Sequence, residues 1–318
     1  MSKADESRAG VEFTNLDQGL FDGAEATKRE LIDYLDAVSK PFVSVLKDRP
    51  LSVIRVRPGQ PGFMQKNLPK YAPEWIKSVS MWAEASHRDV SYALCNDRRT
   101  LLWFGNQRAV EYHVTLVKSD RWDSQTHLVM DLDPPPGAPF STAVHAAHLV
   151  REVLTDVGLD AAVKTSGAKG LHIFVPLKRP NDMADVAAAT RAVAARAERL
   201  DPDATTTAFI KDDRGDRVFL DSTRAGGATV VAAYSPRARP GVPVSFPVAW
   251  DQLDKVSPGD FTIRSAARMI ADDDPWRALM PTAQALPDDL VAEGHAIPIA
   301  RVQAMHEGKR RARAQRDA

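Results

Sequence analysis

The chain is 318 residues long, 44% of them hydrophobic and 26% charged, and its 42 basic and 42 acidic residues balance. These values are typical of a globular protein with a full core and exclude a strongly basic protein. No apolar run in the sequence approaches the roughly 20 residues of a membrane-spanning helix. The one cysteine, Cys95, excludes an internal disulfide, and the polar start lacks a signal peptide, so a cytoplasmic location is expected.

The N-terminal part is predicted to contain a helix and a strand. Residues 1–10 are expected to form a flexible leader. Thr27 and Glu30 form a capping box that predicts the start of a helix, which is expected to end before Pro41. Residues 51–57 have the β-branched composition of a strand, and the Pro/Gly-rich segment after them predicts a turn.

The segment from 47 to 77 is rich in basic residues, with aromatic residues interleaved. Its seven basic residues face only two acidic ones; they are Lys47, Arg49, Arg55, Arg57, Lys66, Lys70 and Lys77, and the aromatics are Phe63, Tyr71 and Trp75. Such a strip could contact phosphates and stack on bases. The commoner alternative is solvated charge on an ordinary surface.

The run from 127 to 133 is apolar, ends in two acids one residue apart, and is followed by three prolines. Side chains alternate along a strand, so Asp131 and Asp133 share one face, and the prolines place them at the rim of a sheet. Two close carboxylates repel unless a cation lies between them, and Mg²⁺ or Mn²⁺ takes oxygen ligands. The pair therefore indicates a metal site, with two solvated acids at a strand end as the alternative.

The elements that follow suggest a sheet covered by helices. Ser141 is the predicted N-cap of a helix closed by Gly158, and His145 and His148 on it are assigned a structural role rather than metal binding. The later predicted elements are strands at 162–165, 171–177, 217–221 and 229–234 and a long helix at 183–200. This order predicts an α+β fold with helices on a mainly antiparallel sheet.

Ser166-Gly-Ala-Lys169-Gly170 connects two of the predicted strands. Its glycines expose backbone N–H groups and Lys169 offers a point charge, which are the parts of a triphosphate cradle, although an ordinary tight turn is the alternative. It is not a Walker loop, because that motif and its helix are absent. Asp221 ends another apolar strand and could bring a third carboxylate to the earlier pair, so that the three hold two divalent ions.

Four motifs, in this order and spacing, resemble the polymerase domain of bacterial DNA ligase D and its stand-alone primase-polymerase relatives, which belong to the archaeo-eukaryotic primase superfamily. They are His127-Leu-Val-Met-Asp131-Leu-Asp133-Pro134, Lys164-Thr-Ser-Gly-Ala-Lys-Gly-Leu-His172, Arg217-Val-Phe-Leu-Asp221 and Asp260-Phe-Thr-Ile-Arg264. The resemblance implies a primase-type catalytic fold of mainly antiparallel sheets with flanking helices. It implies a single catalytic domain at 11–300, with a DNA-binding part near 11–118 and a metal and nucleotide part near 119–275, followed by a basic tail at 301–318.

The activity implied by the resemblance is template-dependent nucleotidyl transfer. The family extends a primer 3′ end with NTPs or dNTPs by two-metal catalysis with Mn²⁺ or Mg²⁺, in gap filling and non-homologous end joining. The implied partners are gapped or broken double-stranded DNA with a 5′ phosphate, the end-binding protein Ku and a separate DNA ligase. No membrane partner is implied, and the expected location is the nucleoid-associated cytoplasm.

The family's functional positions carry over to this chain residue by residue. The metal triad falls on Asp131, Asp133 and Asp221. The nucleotide contacts fall on His113, Ser166, Lys169, His172, Arg214 and Arg237. The DNA contacts fall on Asn15 and Lys28 at the 5′ phosphate and on Arg57, Phe63, Met64 and Lys66 near the template. Two positions depart from the family, since Gln18 replaces a lysine and Met64 replaces the second aromatic of a wedge.

Two other functions stay open at this point. A phosphatase of the haloacid dehalogenase type also begins with Asp-x-Asp and uses a late acid pair such as Asp212-Asp213, although Pro135 stands where such enzymes place Thr or Val. The non-enzymatic alternative is a DNA-end bridging module with a decayed active site, against which the intact acids and loop lysine argue.

Overall fold

The computed structural model describes residues 6–83, 88–224, 228–270 and 274–299 together with Met305. The chain divides into two compact units that interleave along the sequence. Unit 1 comprises Met1–Trp122, Ala162–Ala168 and Gly227–Met280, and unit 2 comprises Asp123–Ala161, Lys169–Gly226 and Pro281–Ala318. The sequence placed a division near residue 118 but treated the two parts as consecutive, whereas segments of both alternate beyond Trp122.

Helices and strands alternate through both units. The helices are α1 (Lys28–Ala37), α2 (Ser39–Leu46), α3 (Arg98–Asn106), α4 (Phe140–Asp156), α5 (Met183–Leu200), α6 (Ala266–Ile270), α7 (Pro275–Leu279) and α8 (Asp288–Ala296). The strands are β1 (Glu6–Arg8), β2 (Val11–Phe13), β3 (Pro50–Arg57), β4 (Gln60–Gln65), β5 (Ser78–Ala83), β6 (Arg88–Leu94), β7 (Ala109–Thr115), β8 (Val117–Lys118), β9 (Arg121–Gln125), β10 (His127–Asp133), β11 (Ala162–Thr165), β12 (Leu171–Pro176), β13 (Thr205–Thr206), β14 (Val218–Asp221), β15 (Thr229–Val231) and β16 (Pro247–Val248).

Unit 1 is built on an antiparallel sheet in the order β15-β7-β3-β6-β5, with β4 also pairing β3. Leu51 and Val53 on β3 lie opposite Val114 and Tyr112 on β7, and all four are buried. Both faces of β3 are mostly buried, and the strand that the β-branched content of residues 51–57 predicted is present. Helices α1 and α3 contact each other, and α3 also contacts β7.

The start of α1 follows the sequence prediction. Thr27 accepts a hydrogen bond from the backbone N–H of Glu30, whose carboxylate accepts one of 2.8 Å from the backbone N–H of Thr27. Helix α1 ends before Pro41 as expected, but the sequence missed α2. Pro41 lies in the first turn of α2, where its missing N–H costs nothing because no intrahelical acceptor is available there.

The prediction of a flexible leader over residues 1–10 is wrong from residue 6 onward. β1 pairs antiparallel with β2, whose residues Val11 and Phe13 are buried. Arg8 donates hydrogen bonds to Asp33 at 2.6 Å and to Asp36 at 3.3 Å, so α1 holds this hairpin in place. Residues 1–5, like residues 301–318 of the expected basic tail apart from Met305, lie outside the described residues.

Unit 2 is built on a sheet in the order β13-β14-β10-β12, in which β10 is central and antiparallel to both neighbours. Only the short β13 is parallel to its neighbour β14 among these strands, so the predicted mainly antiparallel α+β arrangement is confirmed. Helices α4, α5 and α8 belong to this unit, and α5 packs against both α4 and α8.

Helix α4 begins earlier than the sequence indicated. Its N-cap is Pro139, and Ser141 is an exposed residue of the first turn, so the predicted Ser141 cap is wrong. His145 on this helix contacts Asp201 at 2.8 Å, in keeping with the structural role assigned to it. Within the part of the chain that the structure describes, no helix is both long and apolar enough to cross a membrane.

Candidate active site

The strands of unit 2 bring Asp131 and Asp221 together. In the antiparallel register, Asp131 on β10 lies directly opposite Asp221 on β14 and opposite His172 on β12. Residues directly opposite each other in adjacent strands project to the same face of a sheet. The expectation that a later strand brings a third acid to the earlier pair is therefore met for Asp221 and Asp131.

Arg224 lies between these two carboxylates. Its Nη2 is 2.9 Å from Asp131 Oδ2 and 3.0 Å from Asp221 Oδ2, and its Nε donates a hydrogen bond of 3.1 Å to Asp131 Oδ2. The second oxygen of Asp221 accepts hydrogen bonds from the backbone N–H (2.8 Å) and the hydroxyl (2.6 Å) of Thr223. Thr223 thus holds one oxygen of Asp221, while the other oxygen faces the guanidinium of Arg224. Sequence reasoning missed Arg224, whose signal was only a basic residue three positions after the acid.

Asp133 has different partners. Its Oδ1 is 3.0 Å from Lys169 Nζ and its Oδ2 is 3.8 Å from Arg214 Nη1. Lys169 also donates a hydrogen bond to the backbone oxygen of Pro134. The guanidinium of Arg214 lies 3.6 Å from the ring centroid of Phe219, which fixes its position. Lys169 and Arg214 therefore form a cationic rim beside Asp133.

These contacts test how well the acids fit a divalent ion. Two carboxylate oxygens, from Asp131 and Asp221, already converge on one cationic nitrogen, which is the donor chemistry that Mg²⁺ or Mn²⁺ requires. Asp133 does not share this nitrogen, since its Oδ1 forms an ion pair with Lys169. Over the described residues, no group of three or more His, Cys, Asp or Glu is arranged to hold a metal ion, so the complete triad stays a prediction.

His172 and Gly170 support the same strand end. His172 Nε2 is 3.2 Å from Asp131 Oδ1, so Asp131 is contacted on both of its oxygens. A Cβ atom at Gly170 would lie 2.1 Å from the backbone oxygen of Leu132, a distance that no side chain tolerates. Only glycine lets the loop that carries Lys169 approach β10 this closely.

Unit 1 contains a second polar cluster, the Glu111 cluster, formed by Glu111, His113, Arg237 and Ala238. The buried carboxylate of Glu111 contacts His113 Nε2 at 2.9 Å and Arg237 Nε at 3.1 Å, and it accepts a hydrogen bond of 3.0 Å from the backbone N–H of Ala238. Burial raises the pKa of Glu111, but His113, the charge of Arg237 and the amide outweigh it and lower that pKa to about 2. Glu111 therefore stays ionised and orients both predicted nucleotide contacts.

Ser166 joins this cluster through Arg237, which donates a hydrogen bond to its backbone oxygen. Gly167 has a φ of +67°, and a Cβ there would lie 2.7 Å from Arg237 Cγ and 2.8 Å from Ser245 N. The glycine of this loop is thus required by conformation and by space. Of the predicted nucleotide contacts, His113, Ser166 and Arg237 belong to unit 1, and Lys169, His172 and Arg214 belong to unit 2.

The predicted 5′-phosphate residues differ in exposure. Asn15 is exposed, whereas Lys28 is only 2% exposed and donates hydrogen bonds to Thr14 O (2.7 Å) and Asn106 Oδ1 (2.6 Å). The ammonium of Lys28 thus holds the backbone of Thr14 and the side chain of Asn106 in place. A contact between Lys28 and a 5′ phosphate stays a prediction. Gln18, at the position where the resemblance predicts a lysine, accepts a hydrogen bond of 2.8 Å from Arg108.

The predicted template residues lie on two paired strands of unit 1 or, for Lys66, directly after the second of them. Arg57 ends β3, and Phe63 and Met64 lie on β4, which pairs with β3. Phe63 and Met64 are 47% and 43% exposed, and Arg57 and Lys66 are exposed as well. Large apolar side chains beside cations on a surface are suited to stacked bases and phosphates.

Comparisons with known proteins give a consistent answer. Residues 27–276 match the family model described as LigD, primase-polymerase domain. The chain is 33% identical over 260 residues to the bifunctional non-homologous end joining protein LigD of Bacillus subtilis, covering 80% of this chain and 41% of that protein. It is 32% identical over 248 residues to the multifunctional non-homologous end joining protein LigD of Mycolicibacterium smegmatis, covering 76% and 32%.

A solved structure is similar over nearly its whole length. It is the polymerase domain from Mycobacterium tuberculosis ligase D in complex with DNA, with a TM-score of 0.78 and 30% sequence identity, and the match covers 86% of this chain and 99% of that chain. By contrast, the chain spans only about a third to two-fifths of the length of the two curated relatives.

Proposed function

Because the chain belongs to the LigD primase-polymerase domain family, we propose that it is a template-dependent nucleotidyltransferase that extends a primer 3′ end in DNA repair. The observation that carries this proposal is the meeting of Asp131 and Asp221 on one cation, beside the cationic rim of Lys169 and Arg214. Family membership disfavours the haloacid dehalogenase alternative. It leaves the decayed bridging module to be excluded by an activity measurement.

The proposed reaction is attack of the primer 3′ hydroxyl on the α-phosphorus of an NTP or dNTP, with pyrophosphate leaving. Divalent ions held by Asp131, Asp221 and Asp133 would lower the pKa of that hydroxyl and offset charge on the phosphates. Lys169 and Arg214 supply positive charge for the leaving pyrophosphate, since charge placed in advance where charge develops costs no reorganisation. Before an ion binds, Arg224 offsets the repulsion between Asp131 and Asp221.

The Glu111 cluster has the supporting role of orientation. Glu111 fixes the ring of His113 and the guanidinium of Arg237 by direct contacts, and Arg237 in turn contacts Ser166. We propose that His113, Ser166 and Arg237 bind the incoming nucleotide. Groups held in place beforehand bind a ligand with a smaller entropy loss than mobile ones do.

The proposed process is gap filling in non-homologous end joining, the process named for both curated relatives. The proposed partner is gapped or broken double-stranded DNA with a 5′ phosphate, since the similar solved structure is a complex with DNA. Ku and a separate ligase are proposed as further partners, and the nucleoid-associated cytoplasm as the location. The ligation activity of the longer relatives is not assigned to this chain.

The test is extension of a labelled primer on gapped and ungapped templates, with Mn²⁺ or Mg²⁺ and with NTPs or dNTPs. Asp131→Ala and Asp133→Ala are expected to abolish extension while DNA binding stays nearly unchanged. Asp203→Ala, at an exposed acid of unit 2, is the matched control. Extension by either active-site variant above about a hundredth of the wild-type rate, a barrier change under roughly 3 kcal/mol, would contradict the metal assignment. No extension by the wild type on any substrate would favour the bridging module.

A further inference from the structure

Tyr71 presents its ring to solvent and its hydroxyl to the protein. The residue is 61% exposed, yet its hydroxyl accepts a hydrogen bond of 2.8 Å from Nη1 of Arg55, which is only 7% exposed. An amphipathic tyrosine at a surface ordinarily does the reverse, packing its ring and leaving its hydroxyl in water. The hydroxyl contact keeps a flat apolar surface in solvent.

Arg55 is itself rigidly held. Its Nε donates a hydrogen bond of 2.8 Å to Gln107 O and its Nη1 donates one of 2.8 Å to Gln65 Oε1. The same guanidinium lies over the ring of Phe63, 5.6 Å from its centroid. One buried cation therefore fixes two exposed aromatic rings, Phe63 and Tyr71.

The remaining contacts of Tyr71 leave room for a ligand. Its ring is 6.4 Å, centroid to centroid, from that of Trp103 on α3, and the two rings are inclined at 46°. Trp103 is buried and forms a firm support. Two exposed lysines, Lys66 and Lys70, precede Tyr71 in the sequence. A supported ring beside cations is the arrangement that stacks on a base while nearby charges attract the phosphates.

We propose that Tyr71 is a stacking site for an unpaired base of the bound DNA, distinct from Phe63, and that Arg55 is its positioning residue. This inference rests on the proposed function, because it takes DNA as the ligand. Stacking on a ring does not depend on base identity, so the site accepts any unpaired nucleotide. A ring already held in place also loses little freedom on binding.

The test is a double-mutant cycle in which the tyrosine ring and the DNA base are removed separately and together. Binding of wild type and Tyr71→Ala is measured by fluorescence anisotropy on primed templates with a single-stranded overhang, with each overhang nucleotide replaced in turn by an abasic analogue. At one position the base is expected to add about tenfold to the affinity of wild type and less than about twofold to that of Tyr71→Ala, in line with the usual strength of base stacking.

Conservative variants separate the ring from its hydroxyl. Tyr71→Trp also loses the hydroxyl contact with Arg55 but offers a larger ring for stacking, and it is expected to retain most of the base dependence. Tyr71→Phe keeps the ring but loses the contact with Arg55, and is expected to retain only part of it. Met269→Ala removes another large exposed apolar side chain of unit 1, which is 55% exposed, and is expected to behave as wild type.

The outcomes separate this inference from the proposed function. Equal base dependence of wild type and Tyr71→Ala at every overhang position, with primer extension by wild type intact, would overturn the stacking site alone. Absence of template-dependent extension by wild type would overturn the proposed function. Base dependence that disappears in Phe63→Ala but persists in Tyr71→Ala would also overturn the inference, since it would assign the whole effect to Phe63.

Discussion

Glu111 links the orientation of two predicted nucleotide contacts to pH. Its pKa is lowered from 4.5 to about 2, so its ionised form stabilises the fold at pH values above the unfolded pKa, and that contribution is lost as the pH falls towards 2. We expect Glu111→Gln to lower the free energy of unfolding at pH 7 by up to roughly 3 kcal/mol. The difference from wild type should shrink as the pH falls below about 4.5.

The measurement is urea unfolding of both proteins at a series of pH values between 7 and the acid limit of the fold. Glu12→Gln removes an exposed carboxylate from the same unit and should change stability by less than about 0.5 kcal/mol. A constant difference between Glu111→Gln and wild type at every pH would show that the charge of Glu111 contributes nothing.

Arg224 occupies the position between two carboxylates that a divalent ion would need. We expect Arg224→Ala to be less stable than wild type by about 1–2 kcal/mol without divalent ions, because Asp131 and Asp221 then repel each other. Mn²⁺ should bind this variant more tightly than wild type, since no guanidinium has to leave first.

The affinity for Mn²⁺ can be read directly from the electron paramagnetic resonance signal of the free ion, without any assay of catalysis. The Mn²⁺ affinity of Arg224→Lys should lie between those of wild type and Arg224→Ala. Its ammonium keeps the positive charge but lacks the second nitrogen with which the guanidinium contacts Asp131. Weaker binding of Mn²⁺ by Arg224→Ala than by wild type would refute competition between the arginine and the ion.

Single residues were predictable where a local pattern fixes their direction. Strand alternation was enough to place Asp131 and Asp133 on one face, and the apolar strand before Asp221 was enough to place it at a strand end. Arg224 and Arg108 escaped prediction because their roles depend on partners from other strands and loops. The burial of Lys28 also escaped, since lysines are almost never fully buried unless paired.

At the scale of elements, the loop before β12 depends on a glycine. We expect Gly170→Ala to destabilise the fold by about 2–4 kcal/mol, because the new Cβ would meet the backbone oxygen of Leu132 and a strand backbone cannot shift aside cheaply. Chemical denaturation measures the loss, and amide exchange should show it concentrated in β10 and β12.

Gly259→Ala is the matched control for Gly170→Ala. A Cβ at Gly259 would have only Ser257 Oγ within 4 Å, at 3.9 Å, so the expected change is below about 0.5 kcal/mol. Unchanged stability of Gly170→Ala would mean that the loop can retreat from β10.

The longer elements of the central part of the chain were predictable from composition, periodicity and capping, and two of the missed elements show the physical reasons for a miss. Helix α5 was predicted with its observed bounds from its long run rich in Ala and Arg, which are good helix formers, and the structure shows that Asp182 caps it. Helix α2 was missed because Pro41 reads as a break unless the start of the helix is known. The strand β1 was missed because its three polar residues have no hydrophobic pattern and are held by pairing and ion pairs.

At the scale of the whole molecule, the predicted family and α+β fold are confirmed, whereas the interleaving of two units was not foreseen. The order of the motifs can be read directly from the sequence and is enough to identify the family. Interleaving depends on which distant strands pair, as β15 does with β7, and local patterns do not specify that.

The interleaving predicts that residues 1–122 will not fold alone. In unit 1 the hydroxyl of Tyr34 donates a hydrogen bond of 2.7 Å to the backbone oxygen of Tyr234, and the rings of Phe42 and Tyr234 are 6.5 Å apart. A fragment of residues 1–122 lacks these partners and β15. We expect it to show no cooperative thermal transition, unlike the full chain, when followed by circular dichroism. A sigmoidal transition with protected amides in β7 would contradict this.

The pairing of β15 with β7 also has a consequence for synthesis. Between Thr115 and Thr229 the ribosome must add more than a hundred residues, which takes on the order of ten seconds at usual bacterial translation speeds. During that interval the nascent chain exposes the apolar side chains of unit 1 without the later segments that cover them, a state in which neighbouring polypeptides aggregate. Production of this protein in cells should therefore depend on chaperones that shield emerging chains.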